Sequence, residues 1–172
     1  MSLTVNSKTV STTKYIFIVD RKNNGTDGGT FTSGAWRTRD LNSIDVDETG
    51  SVSLSSNQFT LPAGTYRCKI RTPAYLVDSH RSKLYNITDS VDVLFSESGS
   101  IGSNSQVHQV VEILGKFTIA ASKTFEVRHI CGTTESTDGF GKRSQIASLS
   151  EVYSTVELWK VEEVSTLEVF CQ

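Results

Sequence analysis

Apolar residues in this chain recur at every second position, and no window of ten or more residues carries a helical repeat. A strand sends successive side chains to opposite faces, so this period marks half-buried strands. In Thr65–Tyr75, Arg67, Lys69 and Arg71 alternate with Tyr66, Cys68, Ile70 and Thr72. That spacing predicts a cationic outer face and a buried inner one. "VHQVVEILGKFTI" sets Val107, Val111, Ile113, Phe117 and Ile119 in phase, and "TFEVRHI" opposes Phe125, Val127 and His129 to Glu126 and Arg128. "KYIFIVDRK" is rich in aromatic and β-branched residues, and "EVYSTVELWKVEEV" reads as a long last strand. Between these runs lie "NNGTDGG", "DETG", "PAG", "SESGSIGSNS" and "TTESTDGFGKRS", which carry the residues that reverse a chain. The expectation is one all-β domain, an antiparallel sandwich or jelly roll, without repeats or linkers. With 172 residues it can bury a full core.

Charge narrows the partners. There are 17 basic and 19 acidic residues, a formal net charge of −2, so no global field draws the protein to nucleic acid or anionic lipid. No apolar run reaches the roughly 20 residues of a membrane-spanning helix. The first residues, "MSLTVNSKTVSTTKYIFIVD", lack the layout of a signal peptide. Asn24 and Asn86 lie in sequons that are therefore expected to stay unmodified. Cys68, Cys131 and Cys171 are far apart and odd in number, which fits free thiols in a reducing compartment. A Cys68–Cys131 bridge would require those strands to be neighbours.

Constellations that carry chemistry are sparse. "DSHR", Asp78 to Arg81, could orient a base, yet no nucleophile elbow accompanies it, so a strand-edge turn is the better reading. His108 and His129 sit in strand patterns and share no metal-ligand spacing. "DVDETG", Asp45 to Gly50, lacks a full calcium loop and reads as a solvated turn. "GTTESTDGFGK" has no phosphate-loop ending and reads as a mobile, exposed loop. Arg67, Lys69 and Arg71, with Tyr66 and Tyr75, could form a nucleic-acid strip. A solvent-facing or subunit-facing strand side is favoured instead, with no nucleic-acid partner. Neither enzyme activity nor a cofactor or metal is expected.

"GGTFTSGAWRTRDLN", "SSNQFTLPAGTYRCKIRTPAYLVDSHRSKLYNITD", "GKFTIAASKTFEVRHICGTTESTDGFG" and "EVYSTVELWKV", in that order, resemble a family of phage and metagenomic virion proteins. Its members carry a TNF-like jelly-roll domain, related in fold to the globular head of complement components. The resemblance spans roughly residues 14–161 and contains no catalytic motif. It implies a homotrimer at a virion surface, made in the host cytoplasm.

Further expectations follow for the parts of the chain and their roles. Residues 1–13 form an N-terminal arm, 14–164 the jelly roll, and 165–172 a C-terminal tail that adds a strand or reaches a neighbour. Tyr153 and Trp159 are candidates for the trimer interface. With few residues before the first strand and no shaft, the chain is expected to be a decoration or cement protein on a phage head. Its partners would be further copies of itself and the major capsid protein or other virion proteins. Leu3, Val5, Val10, Leu167, Val169 and Phe170 are the candidate anchors, able to add a strand to a neighbour's sheet. The alternative is a receptor-binding tip of a tail or head fibre, recognising host glycan through Glu135, Asp138, Phe140 and Lys142.

Overall fold

The computed structural model describes residues 3–102 and 106–171, and none of these is helical. Twelve strands follow in order: β1 (Leu3–Lys22), β2 (Arg37–Thr38), β3 (Ser43–Asp47), β4 (Ser53–Ser55), β5 (Gln58–Leu61), β6 (Gly64–Tyr75), β7 (Asp78–Asn86), β8 (Val91–Phe95), β9 (Gly99–Ile101), β10 (His108–Ile119), β11 (Lys123–Cys131) and β12 (Glu151–Cys171). One sheet has the order β10-β6-β12-β1-β3. The other runs β4-β5-β11-β7-β8, with β2 added at β11 and β9 at β7. All pairings are antiparallel. The architecture is an antiparallel jelly-roll sandwich of two sheets.

The alternation read from the sequence builds the core. Tyr66, Cys68 and Ile70 on β6 point inward, while Arg67 and Arg71 lie exposed on the outer side. Val111, Ile113, Phe117 and Ile119 of β10 are buried, as are Phe125, Val127 and His129 of β11. Val107 departs from its phase: it precedes β10 and is 58% exposed. Ile16, Ile18, Ile70, Leu84, Val156 and Leu158 form the dry centre between the sheets. Each such buried aliphatic side chain contributes roughly 1.5–3 kcal/mol.

A second, smaller cluster (Phe31, Ala74, Val77, Cys131, Phe140) closes one end of the sandwich. We call this end distal. There the loops 23–36 and 132–150 pack on each other. Phe31 and Glu135 exchange backbone hydrogen bonds, Gly29 N–H donates to Thr137 O, and Phe140 N–H donates to Gly29 O. The loop expected to be mobile and exposed is thus tied down, with Asp138 and Phe140 buried.

At the opposite end the sheet narrows to two strands. The β6 pairing stops at Thr65–Val161 and the β3 pairing at Asp47–Ile16, but β1 and β12 continue together to Leu3–Cys171. The boundaries expected at residues 13 and 164 therefore fall inside continuous strands. The arm and the tail form one antiparallel ribbon with each other.

Candidate functional site

The outer face of the β10-β6-β12-β1 sheet is built in rows by the strand register. One row reads Tyr15, Trp159, Arg67, Lys116. The next reads Phe17, Glu157, Lys69, Leu114, and a third Val19, Thr155, Arg71, Glu112. Tyr15 stacks on Phe17 at 6.2 Å and packs against Trp159 at 5.5 Å between ring centroids. The Tyr15 hydroxyl donates to Glu157 Oε2 at 3.2 Å. Partial burial, then the Glu157 charge, raise its pKa. These aromatic rings are half-exposed in the single chain. The cationic stripe is partly neutralised, because Glu112 lies 3.4 Å from Lys69 Nζ and 3.1 Å from Arg71 Nε.

The outer face of the other sheet satisfies itself. Lys83 Nζ lies 4.3 Å from the Trp36 ring centroid and pairs with Asp92 at 2.6 Å. The Arg128 guanidinium covers Tyr85 at 3.5 Å and its Nε donates to Glu126 at 2.5 Å. Aromatic faces there are occupied by the chain's own cations. Among the described residues no cation covers Tyr15, Phe17 or Trp159 on the first sheet.

β8 and β10 meet where the two sheets close the sandwich edge. Gly115 gives way to Leu94: a Cβ on Gly115 would stand 2.9 Å from both Leu94 Cδ atoms. Next to this contact in sequence, Leu114 is 62% exposed and Phe95 49%.

Of the candidate interface residues, Trp159 lies on the outer face and Tyr153 does not. Tyr153 is 6% exposed, and its hydroxyl donates to Thr26 O at 2.7 Å within the same chain. Val152, 45% exposed, takes the outward place instead. Of the anchor residues, Val10 is exposed in the ribbon. Leu3, Val5, Leu167, Val169 and Phe170 have backbone positions in the ribbon, but their side chains lie outside the described residues. In the candidate ligand loop, Phe140 is buried under Arg39, and Lys142 Nζ binds Asp138 at 2.6 Å.

The "DSHR" stretch does not assemble a catalytic pair. His80 Nδ1 faces His129 Nε2 at 2.9 Å, while the Asp78 carboxylate accepts from the Thr133 hydroxyl at 2.7 Å. Asp47 Oδ1 accepts from Thr49 N–H at 2.9 Å, and Oδ2 from Val52 N–H at 2.9 Å, which makes "DVDETG" a capped turn. Among the described residues no group of three metal-ligating side chains converges. Asn86 is buried and donates to Asp89 at 2.8 Å, so its sequon is inaccessible in the fold.

Arg39, which no sequence pattern singles out, is 0% exposed. Its Nε donates to Ser154 Oγ at 2.6 Å, Nη1 to Pro73 O at 3.2 Å and Nη2 to Phe140 O at 2.9 Å. Burial pushes its pKa down to about 10, with Asp20 and Asp40 acting the other way. It therefore stays charged at neutral pH.

No protein-family model matches the chain, and no curated protein sequence matches it. Solved structures do. Murine APRIL at pH 5.0 aligns with a TM-score of 0.58 at 6% identity, covering 87% of this chain and 99% of that one. At pH 8.0 the same protein gives 0.55 at 7% identity, with the same coverage. Eiger TNF from S. frugiperda gives 0.52 at 12% identity, covering 86% of this chain and 92% of that one. At such identities the likeness is one of fold.

Proposed function

We propose that this protein is a non-enzymatic virion component, a homotrimeric decoration or cement unit on the outer surface of a phage head. The TNF-like fold supports self-association. So does the pairing of a half-exposed aromatic face (Tyr15, Phe17, Trp159) with Phe95, which is 49% exposed on β8 of the other sheet. Two different patches joined head to tail close a ring when the rotation between subunits is one third of a turn. The virion setting rests on the sequence resemblance.

The observation that carries the anchoring role is the β1–β12 ribbon. Beyond Val161 and Tyr15, among the described residues, each of its strands pairs with the other alone, so its outer edges offer main-chain donors and acceptors to a neighbour's sheet. In this form one two-stranded element, not two separate arms, would grip the capsid lattice. Each trimer would then bridge subunits against internal DNA pressure. Removing residues 2–12 together with 163–172 is expected to leave a folded trimer that no longer decorates particles. Those particles should release DNA at a lower temperature. A truncated trimer that decorates normally would rule the role out.

The adhesin reading is favoured by one distal feature. Ile146 and Leu149 are 68% and 67% exposed on a loop whose backbone is pinned by Glu151. Ile146→Ser with Leu149→Ser should abolish host adsorption under that reading and leave particle stability unchanged. Under the cement reading it should do neither.

A further inference from the structure

The geometry points to an acid-sensitive latch: His80 and His129 hold β9 onto the distal end of the sandwich while both rings are neutral, and release it when the pair takes up a proton. His80 (β7) and His129 (β11) are 2% and 0% exposed. Their hydrogen bond continues from His80 Nε2 to Gln109 Oε1 at 3.1 Å, on β10 of the opposite sheet. The chain of bonds thus crosses the sandwich.

The proton count follows from the partners. The arrangement that leaves no buried N–H unmet has His80 Nε2–H donating to Gln109 Oε1 and His80 Nδ1 accepting. His129 Nε2–H then donates to it, and His129 Nδ1 is left bare. That atom is buried and has no hydrogen-bond partner. A bare acceptor there is the less costly arrangement, since the alternative tautomer would bury an unmet N–H.

No position accepts another proton without loss. On His129 Nδ1 it would create a buried cation with nothing to donate to. On His80 Nδ1 it would oppose the His129 N–H at 2.9 Å and force that ring into the unfavourable tautomer. The charged groups facing the pair are Arg39, which repels a cation on either ring, and Glu97, which faces His80 alone. The rest of the lining is Phe31, 4.6 Å from the His129 ring, and Phe140, 6.4 Å away. Burial foremost, and Arg39 with it, lower the pKa of both rings. Below the ordinary histidine range near 6.5 the unfolded or opened state binds protons that the closed state refuses, so closure weakens as pH falls.

The element that gives way is β9. It has three residues and, among the described residues, pairs with β7 only, at Asp78, Ser79 and His80. It is held by close contact with the ring: a Cβ on Gly99 would stand 2.6 Å from His80 Nε2. β9 also walls a surface pocket of about 420 Å³ lined by Ser79, His80, Gly99 and Cys131, and its release would remove that wall.

Hydrogen exchange of the intact protein between pH 7.5 and 4.5 tests this, corrected for intrinsic rates. Peptides covering residues 78–82 and 96–102 should gain about tenfold or more in opening, while β6 and β12 peptides stay protected. The midpoint should coincide with titration of the two ring Cε1–H signals by NMR. His80→Asn and His129→Gln, which cannot titrate, should lose the acid response. If either variant does not fold, coincidence of the wild-type exchange and NMR midpoints decides. Titration of both rings without release of β9 would overturn the latch, as would equal acid opening in a folded non-titrating variant.

Discussion

Tyr153 and Ser154 are consecutive residues of β12, and both are buried, at 6% and 0% exposure. The register explains it: Val19 pairs with Thr155 and Arg21 with Val152, so β12 spends three residues where β1 spends two. The extra residue is a β-bulge that turns Tyr153 inward. Gly141 receives the ring, since a Cβ there would stand 2.3 Å from Tyr153 Cδ1. Tyr153→Ala is therefore expected to cost about 3–5 kcal/mol of subunit stability by urea denaturation. Tyr153→Phe should cost about 1 kcal/mol, the hydroxyl bond to Thr26. A Tyr153→Ala chain as stable as wild type would refute this packing role.

Arg39 joins β6, β12 and the distal loop through Pro73 O, Ser154 Oγ and Phe140 O. Arg39→Met removes the charge but leaves those three buried acceptors to find other donors. A loss of roughly 3 kcal/mol or more is expected, from about 1–3 kcal/mol for each unmet group, partly relaxed. Arg39→Lys should recover little, because one ammonium cannot reproduce the planar fork. Urea midpoints for the two variants measure both statements. A wild-type midpoint for Arg39→Met would show that the guanidinium is dispensable.

Glu151 holds the loop that carries Ile146 and Leu149. Its carboxylate accepts from Ser144 N–H and Gln145 N–H, from Gly25 N–H and from the Ser144 hydroxyl. These bonds, those to the Ser144 and Gln145 backbone foremost, lower its pKa to about 2. A depressed carboxylate stabilises above its unfolded pKa near 4.5 and loses that contribution as pH falls toward 2. Glu151→Gln should bring the loss to neutral pH, seen as faster proteolysis between residues 143 and 149 with the core intact. Unchanged cleavage would remove Glu151 from this role.

Cys68 and Cys131 are free and buried, and burial raises both thiols to about 11. They lie in separate core clusters. Thiolate is the reactive form, so thiol titration of the native protein should label at most Cys171. Rapid labelling of all three, or a native mass two protons light, would contradict this.

The sandwich was legible because period two is a local property of the chain. Tyr66, Cys68 and Ile70 face the core for the same reason that Arg67 and Arg71 face out. What escaped depends on partners distant in sequence. Strict alternation puts Tyr153 on the face of Trp159, and one bulge undoes it. Nothing near Arg39 announces its acceptors at residues 73, 140 and 154. His80 reads as the neighbour of Asp78, yet its ring meets His129, 49 positions away. The ribbon escaped because a strand's partner is set by topology, and the two ends of the chain gave no local sign of pairing with each other.

The proposed ring makes a further demand on Trp159 and Phe95. If the face of one subunit meets the β8–β10 edge of the next, the two residues lie on opposite sides of one repeated contact. Trp159→Ala and Phe95→Ala should then each reduce the mass by light scattering from trimer to monomer at micromolar concentration, with small effects on subunit stability. Mixing the two variants should restore one intact contact, between the Trp159 face of the Phe95→Ala chain and the Phe95 edge of the Trp159→Ala chain. A heterodimer is expected, and no ring, because every further contact lacks at least one side. A two-fold contact of face on face would behave differently, since the Phe95→Ala chain would keep its full interface and dimerise alone. A Phe95→Ala chain that associates as well as wild type would therefore exclude the head-to-tail arrangement.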